Sequence, residues 1–405
     1  MTPKKIIISP LNWGFGHAGR MIPLALELRK RGHEIIFCAD RDVIPMLSRE
    51  LPGISITETG SLHIRYFRKI PMWISVLLHL PHILAVTLRE HRELKRLVAE
   101  HKPDIIISDN RFGFWHKHIF SVYVTHMIRI PFPSPFRFLE SIGVWLHRKV
   151  IERFDLCLIP DFPGDLNLSG RLSHGVRLPR NAVWCGPLSR FNSAAGTVTL
   201  TPAFDAPPKV SAASTPFTTA PDPYCCLVLS GPEPQRSILK EMVTATNTGM
   251  HLVILEGKGE HNTIVRSEKF TVVSNPDTAL MKAIISGSTA VISRSGYTTL
   301  MELASLNKGA VIIPTPGQPE QEYLGEYFDK KWGFVTLKQD EIARIKDFAS
   351  LLTQGNAPGI CEPHQNVSET DVPDSGFPGI LSFPGLPYAG LLLDAAIMRL
   401  TEQKI

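Results

Sequence analysis

Along the chain, short unbroken apolar runs alternate with longer stretches of helical period. Residues 4–9 (KKIIIS) predict a short buried strand. Residues 19–31 predict a helix with Ile22, Ala25, Leu26 and Leu28 on its apolar face, and Arg29, Lys30 and Arg31 in its last turn, where cations suit the helix dipole. Gly32 predicts the C-terminal stop, and Glu34–Cys38 the second strand. Further strands are expected at Asp104–Ser108, Val122–Thr125 and Leu156–Pro160. After a break the rhythm resumes at Cys225–Leu229, Leu252–Leu255, Thr271–Val273, Ala290–Ser293 and Ala310–Pro314. Strands alternating with helices imply an α/β fold whose parallel sheets are covered on both faces.

The break is compositional. Of the 31 residues in 192–222, 22 are Ala, Ser, Thr, Pro or Gly, with no period of 2 or 3.6, which predicts a flexible linker. Residues 355–388, rich in Gly, Pro and Ser, predict a surface insertion, and helical spacing returns at 389–403. The expected organisation is therefore an N-terminal domain over 1–191, a linker over 192–222, a C-terminal domain over 223–388 and a terminal helix over 389–405. The length of 405 residues also exceeds one typical core.

Composition narrows the class. Hydrophobic residues make up 43% and charged residues 20%, as in a globular protein. A net charge of +5 permits an anionic partner without demanding nucleic acid, and no nucleic-acid module is recognisable. The six cysteines show no CxxC pair and no zinc spacing, so buried free thiols in a reducing compartment are expected. Lys4 and Lys5 precede only the short run Ile6–Ile8, a strand rather than a signal-peptide core, so a cytoplasmic protein is expected. Residues 70–88 are strongly apolar and flanked by Arg65, Arg68, Lys69, Arg89 and Arg92, but Pro81 and two histidines interrupt them. The run is too short to span a bilayer. Two readings stay open: a core or interdomain helix, or a face at 62–96 touching anionic lipid or an acceptor's lipid tail.

Candidate chemistry begins at NWGFGHAGR, residues 12–20. Gly14, Gly16 and Gly19 match GxGxxG, and Asp40 ends the second strand, as in a dinucleotide site. Against that, five residues separate the strand from the first useful glycine, His17 sits where bare amides should face a pyrophosphate, and the C-terminal motifs stay unexplained. In the alternative reading the turn approaches a sugar and His17 accepts a proton, or simply caps its own helix. In VISRSGYTTLMELAS (291–305), the amides of a helix N-terminus and the Ser295 hydroxyl suit a diphosphate. Glu302, seven residues on and roughly 10 Å away at about 1.5 Å per residue, suits a ribose. An N-capping serine with an unrelated glutamate is the plainer reading. IIPTPGQPEQEYLG (312–325) clusters Gln318, Glu320, Gln321 and Glu322, groups suited to sugar hydroxyls or to a solvated loop. Asp109, Asn110, Arg111, Thr125 and His126 follow two strand ends and are expected either on an acceptor side or as helix caps. The Asp40–Asp42 pair resembles a metal motif but lies far from the donor half, so no metal site is expected there.

Together, RSGYTTLMEL and PTPGQPEQEYL resemble the donor-binding signature of inverting GT-B glycosyltransferases of family 28. GFGHAGRMIPL, CGPLSRF (185–191) and LSGPEPQR (229–236) are similar to the family's N-terminal turn, domain junction and first C-terminal loop. The resemblance implies two Rossmann-like domains facing each other across a cleft. It puts His17 at the base or donor-contact position, and Arg190, Ser230, Gly231, Ser295 and Gly296 near the phosphates. Thr298 joins the donor site, Glu302 holds the ribose, and Gln321 with Glu320 or Glu322 holds the transferred sugar. Trp13-Gly14-Phe15-Gly16 replaces a tighter Gly-Gly, and Pro232, Glu233 and Pro234 replace a Gly-rich run, so the family's sugar and acceptor are not carried over.

The expected reaction is metal-independent, inverting transfer of a hexosyl group from a UDP-sugar, the donor substrate, with no cofactor. The acceptor, lipid-linked or from the cell envelope, would place the enzyme in the cytoplasm at the inner face of the membrane. The rivals are a UDP-sugar 2-epimerase, for which Glu233 and Glu320 would supply carboxylates, and a non-catalytic nucleotide-sugar- or lipid-binding protein of the same fold.

Overall fold

A computed structural model describes residues 2–60, 80–132, 134–192, 223–246, 248–257, 263–345 and 386–401. The expected linker beyond Asn192, the insertion up to residue 385 and most of the apolar run at 70–88 lie outside these residues.

The first sheet contains β1 (Lys5–Pro10), β2 (Glu34–Ala39), β3 (Ser55–Glu58), β4 (Ile105–Asp109), β5 (Phe120–Val124), β6 (Leu156–Ile159) and β7 (Ala182–Trp184). All its pairings are parallel, in the order β3-β2-β1-β4-β5-β6-β7. The unbroken apolar run of β1 follows from burial on both faces. Ile6 and Ile8 join one core cluster, and Ile7 joins another with Leu94, Leu97 and Phe114.

A second sheet comprises β8 (Tyr224–Leu229), β9 (His251–Glu256), β10 (Thr263–Arg266), β11 (Phe270–Ser274), β12 (Ala290–Ser293), β13 (Val311–Ile312) and β14 (Val335–Thr336). Its order is β10-β11-β9-β8-β12-β13-β14, parallel except for the β10–β11 hairpin. In each sheet the strand order reverses once, between β1 and β4 and between β8 and β12. Connections leave these neighbours toward opposite faces, which opens a crevice at their carboxyl ends.

The helices are α1 (Phe15–Lys30), α2 (Ile44–Glu50), α3 (Leu80–His101), α4 (Glu140–Ile151), α5 (Gln235–Ala245), α6 (Thr278–Gly287), α7 (Tyr297–Ser305), α8 (Pro319–Phe328) and α9 (Leu386–Thr401). α1 starts four residues before the sequence expectation. Gly14, at φ 79°, makes the turn out of β1, so Phe15-Gly16-His17 is already helical. Its end is as expected, with Gly32 at φ 88°. α9 starts at Leu386, three residues earlier than expected, and returns to the first half. It touches β7 and pairs Asp394 with Arg31. Among the described residues no helix is long and apolar enough to cross a membrane, and the five described cysteines are buried free thiols.

Candidate active site

The two crevices face each other. Gly14 and Gly16, on the turn and first helical turn after β1, lie against Gly231 and Thr298 of the second half. A Cβ on Gly14 would come 3.5 Å from the Gly231 Cα, and one on Gly16 3.1 Å from the Thr298 Oγ1. Beside this contact opens a cleft of about 650 Å³, continuous with solvent. Ser230, Gly231, Thr298 and Glu302 of the second half line it, with Phe15, Gly16, Met46 and Arg190 from the first. Leu255, Asn275, Pro276 and Met281 also line it. Arg49 of α2 reaches across to the Asn275 and Pro276 carbonyls, at 2.8 and 2.9 Å, and Glu50 accepts from the Thr278 amide.

Glu302 is buried and accepts from the Arg190 Nε at 2.7 Å, so the carboxylate and the guanidinium meet at the cleft wall. Gly296 caps α7 with open space where a Cβ would stand. The Thr299 hydroxyl donates to the Ser230 Oγ at 3.3 Å, joining the two loops of the crevice.

The first crevice is built from charge. Pro10 and Asp109 are opposite each other at the ends of β1 and β4, and α1 returns over them. His17 Nδ1 lies 3.1 Å from Asp109 Oδ2, with the His17 side chain 15% exposed and Asp109 fully buried. Three residues on, the fully buried Arg20 grips both Asp109 oxygens through Nε and Nη2. Burial alone would raise the Asp109 carboxyl; Arg20, then His17, hold it down to about 2. Arg20 Nη1 lies 2.9 Å from His126 Nδ1, and His126 Nε2 lies 2.9 Å from Glu320 Oε1 on α8. Tyr297, the first residue of α7, stacks on the His126 ring at 4.0 Å and donates to the Pro160 carbonyl. Burial pushes His126 down against the pull of Glu320. Burial would raise Glu320, but His126 takes it below the usual carboxylate range. This describes a neutral ring between a cation and an anion.

Residues 227–358 match the model of the glycosyltransferase family 28 C-terminal domain. An uncharacterised glycosyltransferase of Methanosarcina mazei is 23% identical over 344 residues, covering 78% of this chain and 81% of its own, and one of Methanosarcina acetivorans is 24% identical over 345 residues with the same coverage. In fold, the chain resembles a spinosyn rhamnosyltransferase solved with thymidine diphosphate, with a TM-score of 0.57 and 14% identity over 98% of this chain and all of that one. The chain is a family 28-like glycosyltransferase of GT-B fold. A protein described as a putative UDP-N-acetylglucosamine 2-epimerase of Listeria monocytogenes also resembles it, with a TM-score of 0.56 and 13% identity over all of this chain and 98% of that one, which is a likeness of fold alone.

Several expected site residues lie elsewhere in this glycosyltransferase. Ser295 is fully buried, and its hydroxyl donates to the Gln321 carbonyl at 2.7 Å. It precedes α7 by two residues, so it does not share a helix face with Glu302 and offers the cleft no hydroxyl. Gln321 braces the preceding loop, its Oε1 accepting from the Thr315 amide. Glu322 caps Gly317, while Gln318 Oε1 is buried with no hydrogen-bond partner. Glu320 meets His126, and Glu233 accepts from the Ser237 amide and hydroxyl; neither lines the donor cleft.

Of the acceptor-side candidates, only Asp109 and His126 join the charged crevice. Arg111 is buried on Glu90, Ser9, Thr59 and the Gly60 carbonyl, clasping α3 to the sheet. Asn110 accepts from the Tyr123 hydroxyl, and the Thr125 hydroxyl accepts from the Met127 amide. Asp40 caps the turn at Arg41–Val43. Sequence reasoning missed Arg20 and Tyr297. An arginine one helical turn after His17, between Ala18 and Met21, was the signal for the first.

Proposed function

We propose that this glycosyltransferase moves a hexose from a UDP-sugar to an acceptor hydroxyl with inversion and no metal ion, His17 acting as general base. The observation that carries the reading is the His17–Asp109 pair at the mouth of the crevice. A carboxylate on Nδ1 favours the tautomer that leaves Nε2 bare to take a proton. Arg190 and Glu302 would receive the nucleotide, Glu302 at the ribose and Arg190 at the diphosphate, with Ser230, Gly231, Gly296 and Thr298 presenting hydroxyls and amides to the phosphates. Thymidine diphosphate bound by the spinosyn enzyme supports a nucleoside-diphosphate donor on this fold.

Exposed apolar side chains support an acceptor with a lipid tail. On α3, Leu84 is 64% and Leu88 54% exposed; around α4, Phe138 reaches 73% and Trp145 59%. Both helices cover the same face of the first sheet. Arg89, Arg92, Arg148 and Lys149 on the same helices would meet anionic headgroups.

The test is incubation with a panel of labelled UDP-sugars, with and without a membrane extract. Transfer with inverted anomeric configuration, dependent on the extract, is expected. Interconversion of the UDP-sugar without extract would establish an epimerase instead, and absence of both UDP release and conversion would establish a binder.

A further inference from the structure

Arg20 has only donors, so at 2.9 Å the His126 Nδ1 must accept. The ring's proton then sits on Nε2 and is donated to Glu320. One face of the same ring stacks on Tyr297. His126 is thus held by Arg20 from the first half and by Glu320 and Tyr297 from the second, with its side chain almost wholly buried.

At His17 there is a competition. Nδ1 lies 3.1 Å from Asp109 Oδ2 and 3.1 Å from Arg20 Nη2. Asp109 needs a proton on Nδ1, whereas Arg20 needs Nδ1 bare. The first state leaves Nε2 free to act as a base; the second puts the proton on Nε2 and blocks it. The planar guanidinium cannot serve every neighbour equally, and its hold on His126 turns its other edge, Nε and Nη2, onto the two oxygens of Asp109.

We propose that His126 is a positioning residue: clamped between Arg20 and Glu320 when the halves meet, it keeps Arg20 on Asp109 and so sets His17 in the tautomer that can take a proton. Glu320 acts here as a bridge across the cleft rather than through a sugar. The assignment rests on the reading of His17 as the base and deepens it. It also gives closure a chemical consequence, because the base is set only when the half that carries α7 and α8 is docked.

Two variants separate bonding from packing. His126→Phe keeps an aromatic ring against Tyr297 but offers no donor or acceptor. His126→Gln keeps both, since a side-chain amide can accept from Arg20 and donate to Glu320. With histidine ¹⁵N-labelled protein saturated with UDP, ring nitrogen shifts report which nitrogen of His17 carries the proton, and a His17→Gln sample assigns the signal. In the wild type the proton is expected on Nδ1, in His126→Phe mainly on Nε2, and in His126→Gln on Nδ1 again. Single-turnover transfer should fall roughly 10–100-fold in His126→Phe, part of the usual contribution of a general base, and recover to within about threefold in His126→Gln. UDP affinity, read by calorimetry, should stay within about twofold throughout and shows that each variant is folded.

A His126→Phe protein that binds UDP normally and keeps the wild-type His17 tautomer overturns the proposal. So does a His126→Gln protein that behaves like His126→Phe, which would locate the effect in packing. Preserved turnover in His17→Ala sinks the base reading alone, because the tautomer measurement needs no acceptor and no turnover.

Discussion

The two crevices share a topology and differ in chemistry. Each lies where a parallel sheet reverses its strand order, between β1 and β4 in one half and between β8 and β12 in the other. In the first, the start of α1, the end of β4 and the loop after β5 deliver His17, Arg20, Asp109 and His126, ionisable side chains buried against one another. In the second, the loop after β8 and the N-terminus of α7 deliver Ser230, Gly231, Gly296 and Thr298, small neutral groups, with the Glu302–Arg190 ion pair on the wall beside them. A nucleoside diphosphate brings its own charge and asks for amides and hydroxyls. A proton acceptor must be held and tuned by neighbouring charge. One architecture thus supports binding on one side and proton transfer on the other, according to which side chains follow the strand ends.

The largest expected effect tests that division directly. His17→Ala should lower the single-turnover rate by about 10²–10⁴-fold while UDP affinity stays within about twofold. Turnover that survives, with about 0.5–2 kcal/mol of lost stability, would make His17 a helix cap and erase the contrast. On the opposite wall, Glu302→Ala should weaken UDP binding by about 1.5–3 kcal/mol, roughly 10–100-fold, through lost bonds to a charged acceptor. Calorimetry showing unchanged affinity would remove Glu302 from the nucleotide.

The charged crevice should also be the acid-sensitive one. Asp109 is held near 2 in the folded protein, below the about 3.9 of a free aspartate. A depressed carboxylate contributes stability above its unfolded value and loses it as pH falls toward the folded value. Between about pH 5 and 2, on the order of 2 kcal/mol should therefore be lost. Urea unfolding of wild type and Asp109→Asn should show a stability gap that narrows across that window; a gap constant with pH would mean that Asp109 is not held by charge. The smallest effect concerns the seam between the crevices. Gly16→Ala places a Cβ 3.1 Å from the Thr298 Oγ1, and about 1 kcal/mol of overpacking should weaken apparent donor affinity roughly fivefold. Wild-type affinity in that variant would show that the seam is looser than its spacing implies.

Much of this was legible in the chain. β1, α1 and β2 and the five main strands of the second half follow from apolar runs and Gly32, because buried parallel strands must be apolar throughout. The edge strands escaped: β7 and β14 are only two or three residues long, and β10 is exposed throughout. The apolar run Ala310–Pro314 is longer than the two-residue ladder it forms, Val311–Ile312. In the site, Glu302 was expected from its spacing, and Arg190, Ser230, Gly231 and Thr298 from motifs that resemble the family's, whereas Met46, Asn275 and Met281 sit in no such motif. Ser295 could not be excluded that way, since its buried bond to the Gln321 carbonyl joins two motifs that only the fold brings together. The same holds for Arg20, Asp109, His126 and Glu320, which converge from four separate places in the chain.

α9 carries one more consequence. The chain leaves the first half after Asn192, enters the second at Tyr224, and comes back to touch β7 and Arg31 through Leu386–Thr401. The halves are therefore joined by two covalent crossings, like a door on two pins. A single proteolytic nick between residues 193 and 222 would leave the two halves tethered, so parting them requires a second cut or the undocking of α9.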